Sequence, residues 1–172
     1  MNILQELFYS LTSGNNGEFT NNKFIETFKY NPIPSKYLLL TDISKRTPLH
    51  YVLWRGYTDI EIIKLLITPE VLTIVDLDGK TPLHYALWEG FNPNIELIKL
   101  LITQEALNMV DNHGKTPLHY SILVRLGSES IGLLTTQEAL IMQDDEKKTP
   151  LHYALKRRGD KIRIIKSLKK QI

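Results

Sequence analysis

Apolar residues recur along the chain in matched blocks. After Thr47 they set Leu49, Val52 and Leu53 on one side of a short helix. The same arrangement returns as Leu83, Ala86 and Leu87, as Leu118, Ser121 and Ile122, and as Leu151, Ala154 and Leu155. A second apolar segment follows each block: "DIEIIKLLI" at 59–67, "NIELIKLLI" at 94–102, "SESIGLL" at 128–134 and "DKIRIIKSL" at 160–168. In the first of these Ile60, Ile63 and Ile67 lie at i, i+3 and i+7 with Leu66 beside them, so one helical face is apolar. The same reading puts Ile162, Ile164, Ile165 and Leu168 on the apolar face of a final helix. Each unit predicts a pair of short helices. One pair cannot bury both of its faces alone, whereas stacked pairs can.

The blocks share a pentapeptide, TPLHY, which begins at Thr47, Thr81, Thr116 and Thr149, with intervals of 34, 35 and 33 residues. An Asp stands five residues before each Thr: Asp42, Asp76, Asp111 and Asp144. A threonine hydroxyl placed just before a helix accepts an otherwise unpaired amide, and proline is tolerated at the first helical position because its missing N–H would be unpaired there anyway. Thr-Pro therefore starts the first helix of each unit. In these four motifs, at this period, the chain resembles the ankyrin repeat family. The resemblance implies an all-α solenoid of stacked antiparallel helix pairs joined by β-hairpin-like fingers. The four repeats fall at about 42–75, 76–110, 111–143 and 144–172, the last a truncated basic C-terminal cap. They form one continuous solenoid domain with what precedes them.

"DLDGK" and "DNHGK" match the family's finger, where Gly79 and Gly114 supply the positive φ of a tight turn. "DISKR" and "DDEKK" put Lys45 and Lys147 there, so these two fingers are expected to be less regular. Thr followed by Pro or Gln and then Glu, at 68, 103 and 136, predicts an extra helical turn before each finger. Distortion between the two helices is expected at "GFNPN" in the second repeat and at Arg125, where the third lacks a glycine. Residues 1–41 carry no TPLH, but Ile3, Leu4, Leu7, Phe8 and Leu11, then Phe24, Ile25 and Phe28, read as a degenerate N-terminal capping helix pair.

Composition adds little to this picture and charge adds more. The 172 residues, 42% hydrophobic and 23% charged, suit a folded chain, and no stretch approaches the roughly 18 apolar residues of a membrane span. The absence of Cys and of a basic leader before the first apolar residues points to an intracellular, cytoplasmic protein, with the nucleus as the other compartment. From Leu155 onward eight basic residues face one acid, Asp160, while 13 Lys and Arg face 18 Asp and Glu before it. That basic helix is read either as the solvated face of a cap or as a dock for an acidic protein, nucleic acid or anionic lipid.

Four matched histidines, His50, His84, His119 and His152, invite a metal reading that geometry refuses. Zinc holds nitrogens at about 2 Å, while matched residues of stacked helix pairs stand about 8–10 Å apart. By the resemblance each imidazole hydrogen-bonds its own Thr and nearby backbone, so Thr47, His50, Thr81, His84, Thr116, His119, Thr149 and His152 are structural. No GxSxG, P-loop, GxGxxG or nucleophile beside a base is present, so neither enzyme nor cofactor is expected.

Trp54 and Trp88, the only two tryptophans, each stand seven residues after their Thr, with Leu123 and Lys156 at the matching places. On a helix Trp54 lies about 140° from Leu49 and about 100° from Leu53, at the edge of the apolar stripe. By the resemblance this position and its successor face a concave groove, which enlists Trp54, Arg55, Trp88, Glu89, Leu123 and Val124. The finger tips Ser44, Arg46, Asp78, Lys80, Asn112, His113 and Lys115 line the same surface. Trp and Arg at the centre of a groove suit a binding hot spot, and the other reading packs both indoles between repeats. The resemblance also marks Asn108, three residues before Asp111, as a candidate for hydroxylation. The expected function is a monomeric, non-enzymatic interaction module, an adaptor or stoichiometric inhibitor, that grips a partner protein in the groove; electrostatic docking of a polyanion on the basic C-terminus is the alternative.

Overall fold

A computed structural model describes residues 33–56, 59–88, 95–157 and 161–169. The capping helix pair expected within 1–32, the "GFNPN" turn and Glu89 lie outside the described residues. Every regular element described is helical. They are α1 (Ser35–Leu38), α2 (Pro48–Trp54), α3 (Ile60–Leu66), a 3₁₀ turn (Val71–Thr73), α4 (Pro82–Ala86), α5 (Ile95–Leu101), α6 (Gln104–Asn108), α7 (Pro117–Leu123), α8 (Ser128–Leu133), α9 (Gln137–Ile141), α10 (Pro150–Lys156) and α11 (Lys161–Lys169). None of the described helices is long and apolar enough to cross a membrane.

Helices this short do not persist alone, because nucleation is unfavourable below about 12 residues. Two local devices start them. Thr47, Thr81 and Thr116 stand in extended conformation before a proline, and their hydroxyls accept the amides of His50, His84 and His119. In return each imidazole Nδ1 accepts the threonine amide at 3.1–3.2 Å. Histidine thus takes the place of the Glu or Gln of a common capping box and satisfies a second orphan amide. Thr68, Thr103 and Thr136 begin the extra turns by accepting the amides of Val71, Ala106 and Ala139.

Stacking supplies the remaining stability. The inner helices α2, α4, α7 and α10 pack in order, as do the outer helices α3, α5, α8 and α11 and the short turns between them. Leu49, Leu83 and Leu118 are wholly buried in the seams, with Leu53, Leu87 and Ile122 beside them. Each such side chain contributes about 1.5–3 kcal/mol. In α3 the buried positions are Ile62, Ile63 and Leu66, while Ile60 and Ile67 are only partly covered.

Other expectations are corrected. Leu151 and Leu155 are 41% and 45% exposed, because no described unit lies beyond α10 to cover them, and only Ala154 of that stripe is buried. Ile162 is exposed as well, on the side of α11 away from Ile164 and Leu168. The fingers at Lys45 and Lys147 are as regular as the glycine ones. In all four the first aspartate's amide donates to the carbonyl four residues on at 3.0 Å, and its carboxylate accepts the amides two and four residues on. These bonds over-determine the turn, so Lys45 and Lys147 take φ of 59° as Gly79 and Gly114 take 75° and 72°. Arg125 likewise takes φ of 62° after α7, the conformation Gly56 takes after α2.

A left-handed conformation costs a non-glycine residue roughly 1–2 kcal/mol. Lys147→Gly should therefore leave the fold intact and raise its stability by about 0.5–1 kcal/mol in urea unfolding. Gly79→Ala should lower it by more than about 1 kcal/mol, because the new Cβ would stand 2.6 Å from Asn112 Oδ1 and 2.9 Å from its amide nitrogen.

Candidate functional surface

Each finger meets the C-terminal half of its own inner helix, and the bonds between units decide which side chains remain free there. The histidine of one unit bonds the finger of the next: His50 Nε2 to the Lys80 carbonyl at 3.1 Å, His84 to Lys115 at 3.0 Å and His119 to Lys148 at 3.1 Å. A carbonyl only accepts, so Nε2 carries the proton and Nδ1 is left to accept from threonine. Burial, first of all, pushes His50 and His84 down to about 4 and lowers His119, because a charged ring would lie in the seam.

The last residue of the pentapeptide has a role that its sequence context alone did not suggest. Tyr85 and Tyr120 donate their hydroxyls at 2.6 Å to Asp76 and Asp111, nine residues earlier, and Tyr153 does the same to Asp144. Each ring also stands edge-on to the histidine of the preceding unit, with centroids 5.3–5.9 Å apart. Tyr51 makes no such bond, because Arg46 holds the Asp42 carboxylate at 2.7 Å. Burial would raise the basicity of Asp144, but bonds from Tyr153, the Lys148 amide and the Lys115 ammonium outweigh it and hold the group down to about 2. The constant Asp-to-Tyr spacing was the available signal.

With histidine and tyrosine committed to the seams, the residue seven places after the Thr is left outside. Trp54 and Trp88 are 51% and 47% exposed, so neither is packed away between units. A cation from its own finger covers each indole: Arg46 lies 4.8 Å from the Trp54 ring and Lys80 lies 4.4 Å from that of Trp88. Tyr51 packs on Trp54 at 5.6 Å and Tyr120 on Trp88 at 6.2 Å. A recess of about 280 Å³ opens beside Trp88, lined also by His113, Lys115, Tyr120, Leu123 and Val124.

The proposed surface residues divide into exposed groups and covered ones. Arg55, Asp78, Asn112, His113 and Leu123 are exposed, and Val124 is half-buried in the recess. Lys80 is no free tip: it is buried, with its ammonium on Asp78 and Trp88. Arg46 and Lys115 are half-buried and paired with Asp42 and Asp144, and Ser44 is half-buried with its carbonyl accepting the Leu77 amide. Ile43 and Leu77 went unnoticed in the sequence and are exposed on the first two fingers. Asn108 is half-buried at the end of α6, where its amide oxygen accepts the Thr136 hydroxyl at 2.5 Å. Among the described residues no three His, Asp or Glu side chains are placed to hold a metal ion.

A family model described as ankyrin repeats (3 copies) matches residues 18–96 and 91–171. No curated protein matches the chain.

Two measurements check the network. A histidine kept neutral in the fold but charged when unfolded makes stability fully present above about pH 6.5 and lost as pH falls toward about 4. His50 and His84 should each remove on the order of 3 kcal/mol across that window, with His119 adding to the slope, in urea unfolding at stepped pH. The low-lying Asp144 acts only below about pH 4, so a flat profile between about 6.5 and 4 would contradict the neutral-imidazole assignment. Separately, Tyr120→Phe should cost about 1.5–3 kcal/mol, while Tyr51→Phe, which loses no carboxylate bond, should cost much less.

Proposed function

The chain belongs to the ankyrin repeat family, whose repeats are protein–protein interaction modules, and from that premise we propose that it grips a partner protein on the surface carrying Trp54, Trp88 and the recess beside them. The reading rests on one observation: two half-exposed indoles, each stacked against a finger cation, with an apolar recess next to the second. An indole held by a guanidinium or ammonium loses little rotamer freedom on binding. Arg55, Asp78 and His113 give the rim polar groups that select a partner without anchoring it. Such a surface binds by shape and charge and acts as an adaptor or stoichiometric inhibitor.

Docking of a polyanion on α11 is the weaker reading. Two guanidinium groups of the basic region are already engaged, Arg163 with the Ser128 hydroxyl and Arg157 with the Ile122 carbonyl. Affinity capture from the native host with wild type and with the Trp54→Ala, Trp88→Ala double variant identifies the partner, and calorimetry then measures both. The double variant should fold normally and lose at least about 2 kcal/mol of binding free energy. Unchanged affinity sinks the surface assignment, and a steep linear fall of log affinity with log salt that ignores both tryptophans favours α11 instead.

A further inference from the structure

Each finger ends on a cation, Arg46, Lys80, Lys115 or Lys148, one residue before the Thr that starts its inner helix. In the first two units that cation lies on the indole seven places after the Thr, and its own finger supplies its carboxylate: Asp42 for Arg46 and Asp78 for Lys80. In the third unit Lys115 turns to Asp144 of the next finger at 3.3 Å, and the matching place on the helix holds Leu123. Each of these cations has a carboxylate.

The fourth unit breaks the pattern. Its place holds Lys156, exposed at the end of α10, so the finger cation Lys148 has an ammonium beside it where the first two units have an indole. Glu146 pairs with Lys148, and Asp144 is already taken by Lys115 and Tyr153. Asp145 lies 3.9 Å from the His113 ring of the preceding finger. Among the described residues no carboxylate forms an ion pair with Lys156, so two ammonium groups there share the one carboxylate of Glu146.

We propose that the segment held along Trp54, Trp88 and Leu123 is an extended, acidic one: a large apolar side chain fills the recess beside Trp88, and an Asp or Glu farther along pairs with Lys156. The inference rests on the gripping surface proposed above and adds the chemistry and direction of what it holds. The recess, walled by Trp88, Tyr120, Leu123 and Val124, has a volume of about 280 Å³, room for one large side chain. Lys156 stands one unit beyond Leu123, at about 8–10 Å, which an extended segment covers in about three residues. A carboxylate arriving there meets a charge with no pairing to displace, whereas a basic group would meet two like charges. A polyanion without apolar side chains would leave the indoles and the recess unfilled.

Random dodecapeptides displayed on phage and selected on the full chain test this, with the affinity of each selected peptide read by fluorescence anisotropy. The enriched peptides should carry Asp or Glu about three residues from a large apolar residue. Lys156→Glu, at an exposed position and with helicity unchanged by circular dichroism, should weaken them at least about tenfold, and replacing the peptide's acid by Lys should restore binding to that variant. Trp54→Ala with Trp88→Ala should weaken them as well. Peptides that need the tryptophans but carry no acid, or that ignore Lys156→Glu, overturn the inference and leave the gripping surface standing. Acidic peptides that ignore both tryptophans overturn the inference and that surface together. A selection that enriches nothing overturns the inference too, while the surface is then judged by the partner captured from the host.

Discussion

The stack depends on one neutral imidazole per seam, bonded on both nitrogens. Nδ1 accepts from the threonine that starts its own helix and Nε2–H donates to the finger of the next unit, so the start of one helix and the position of the following finger are set by a single ring. A second proton would place an N–H where Nδ1 must accept, and it would charge a ring that the seam removes from water. Tyrosine continues the linkage. It packs on the preceding histidine and bonds the aspartate that closes its own finger, so capping, stacking and turn closure are coupled from one unit to the next. Stability in such an array is a sum of nearest-neighbour terms.

That coupling also orders the surface around Trp54 and Trp88. Arg46 and Lys80 leave rigid turns, and the indoles they cover leave helices whose first turns are fixed by the threonine–histidine exchange. Lys80 is buried against Asp78 and Trp88, so it orders the indole more than it offers a charge. A surface ordered before a partner arrives has little side-chain entropy left to lose.

Much of this is legible in the sequence because it is local. Thr-Pro and the periods of Leu49, Val52 and Leu53 act within one helix, and the finger aspartates act within five residues, so spacing alone reveals them. What spacing misses depends on a neighbour. Periodicity places Leu151 and Leu155 on the inner face of α10, but it cannot say whether a unit lies over that face. A lysine at a left-handed position reads as a defect until the bonds that hold Lys45 and Lys147 are counted. The exposure of Trp54 and Trp88 follows only once tyrosine and histidine are seen to occupy the seams.

The four places seven residues after each Thr hold Trp54, Trp88, Leu123 and Lys156, a range of shape and charge that the repeat accommodates without change of backbone role. The reason is positional. Trp54 and Trp88 make no hydrogen bond that joins one unit to the next, although Trp88 adds a ring contact with Tyr120, whereas His50, His84 and His119 each have two partners whose geometry admits only a neutral ring with a donor on Nε2. The proposed choice of partner and the fold therefore rest on different residues of the same short helix. A change at Trp54 or Trp88 alters the exposed surface and leaves the hydrogen bonds between units in place, and a change at His50 or His84 breaks the bonds that hold that surface.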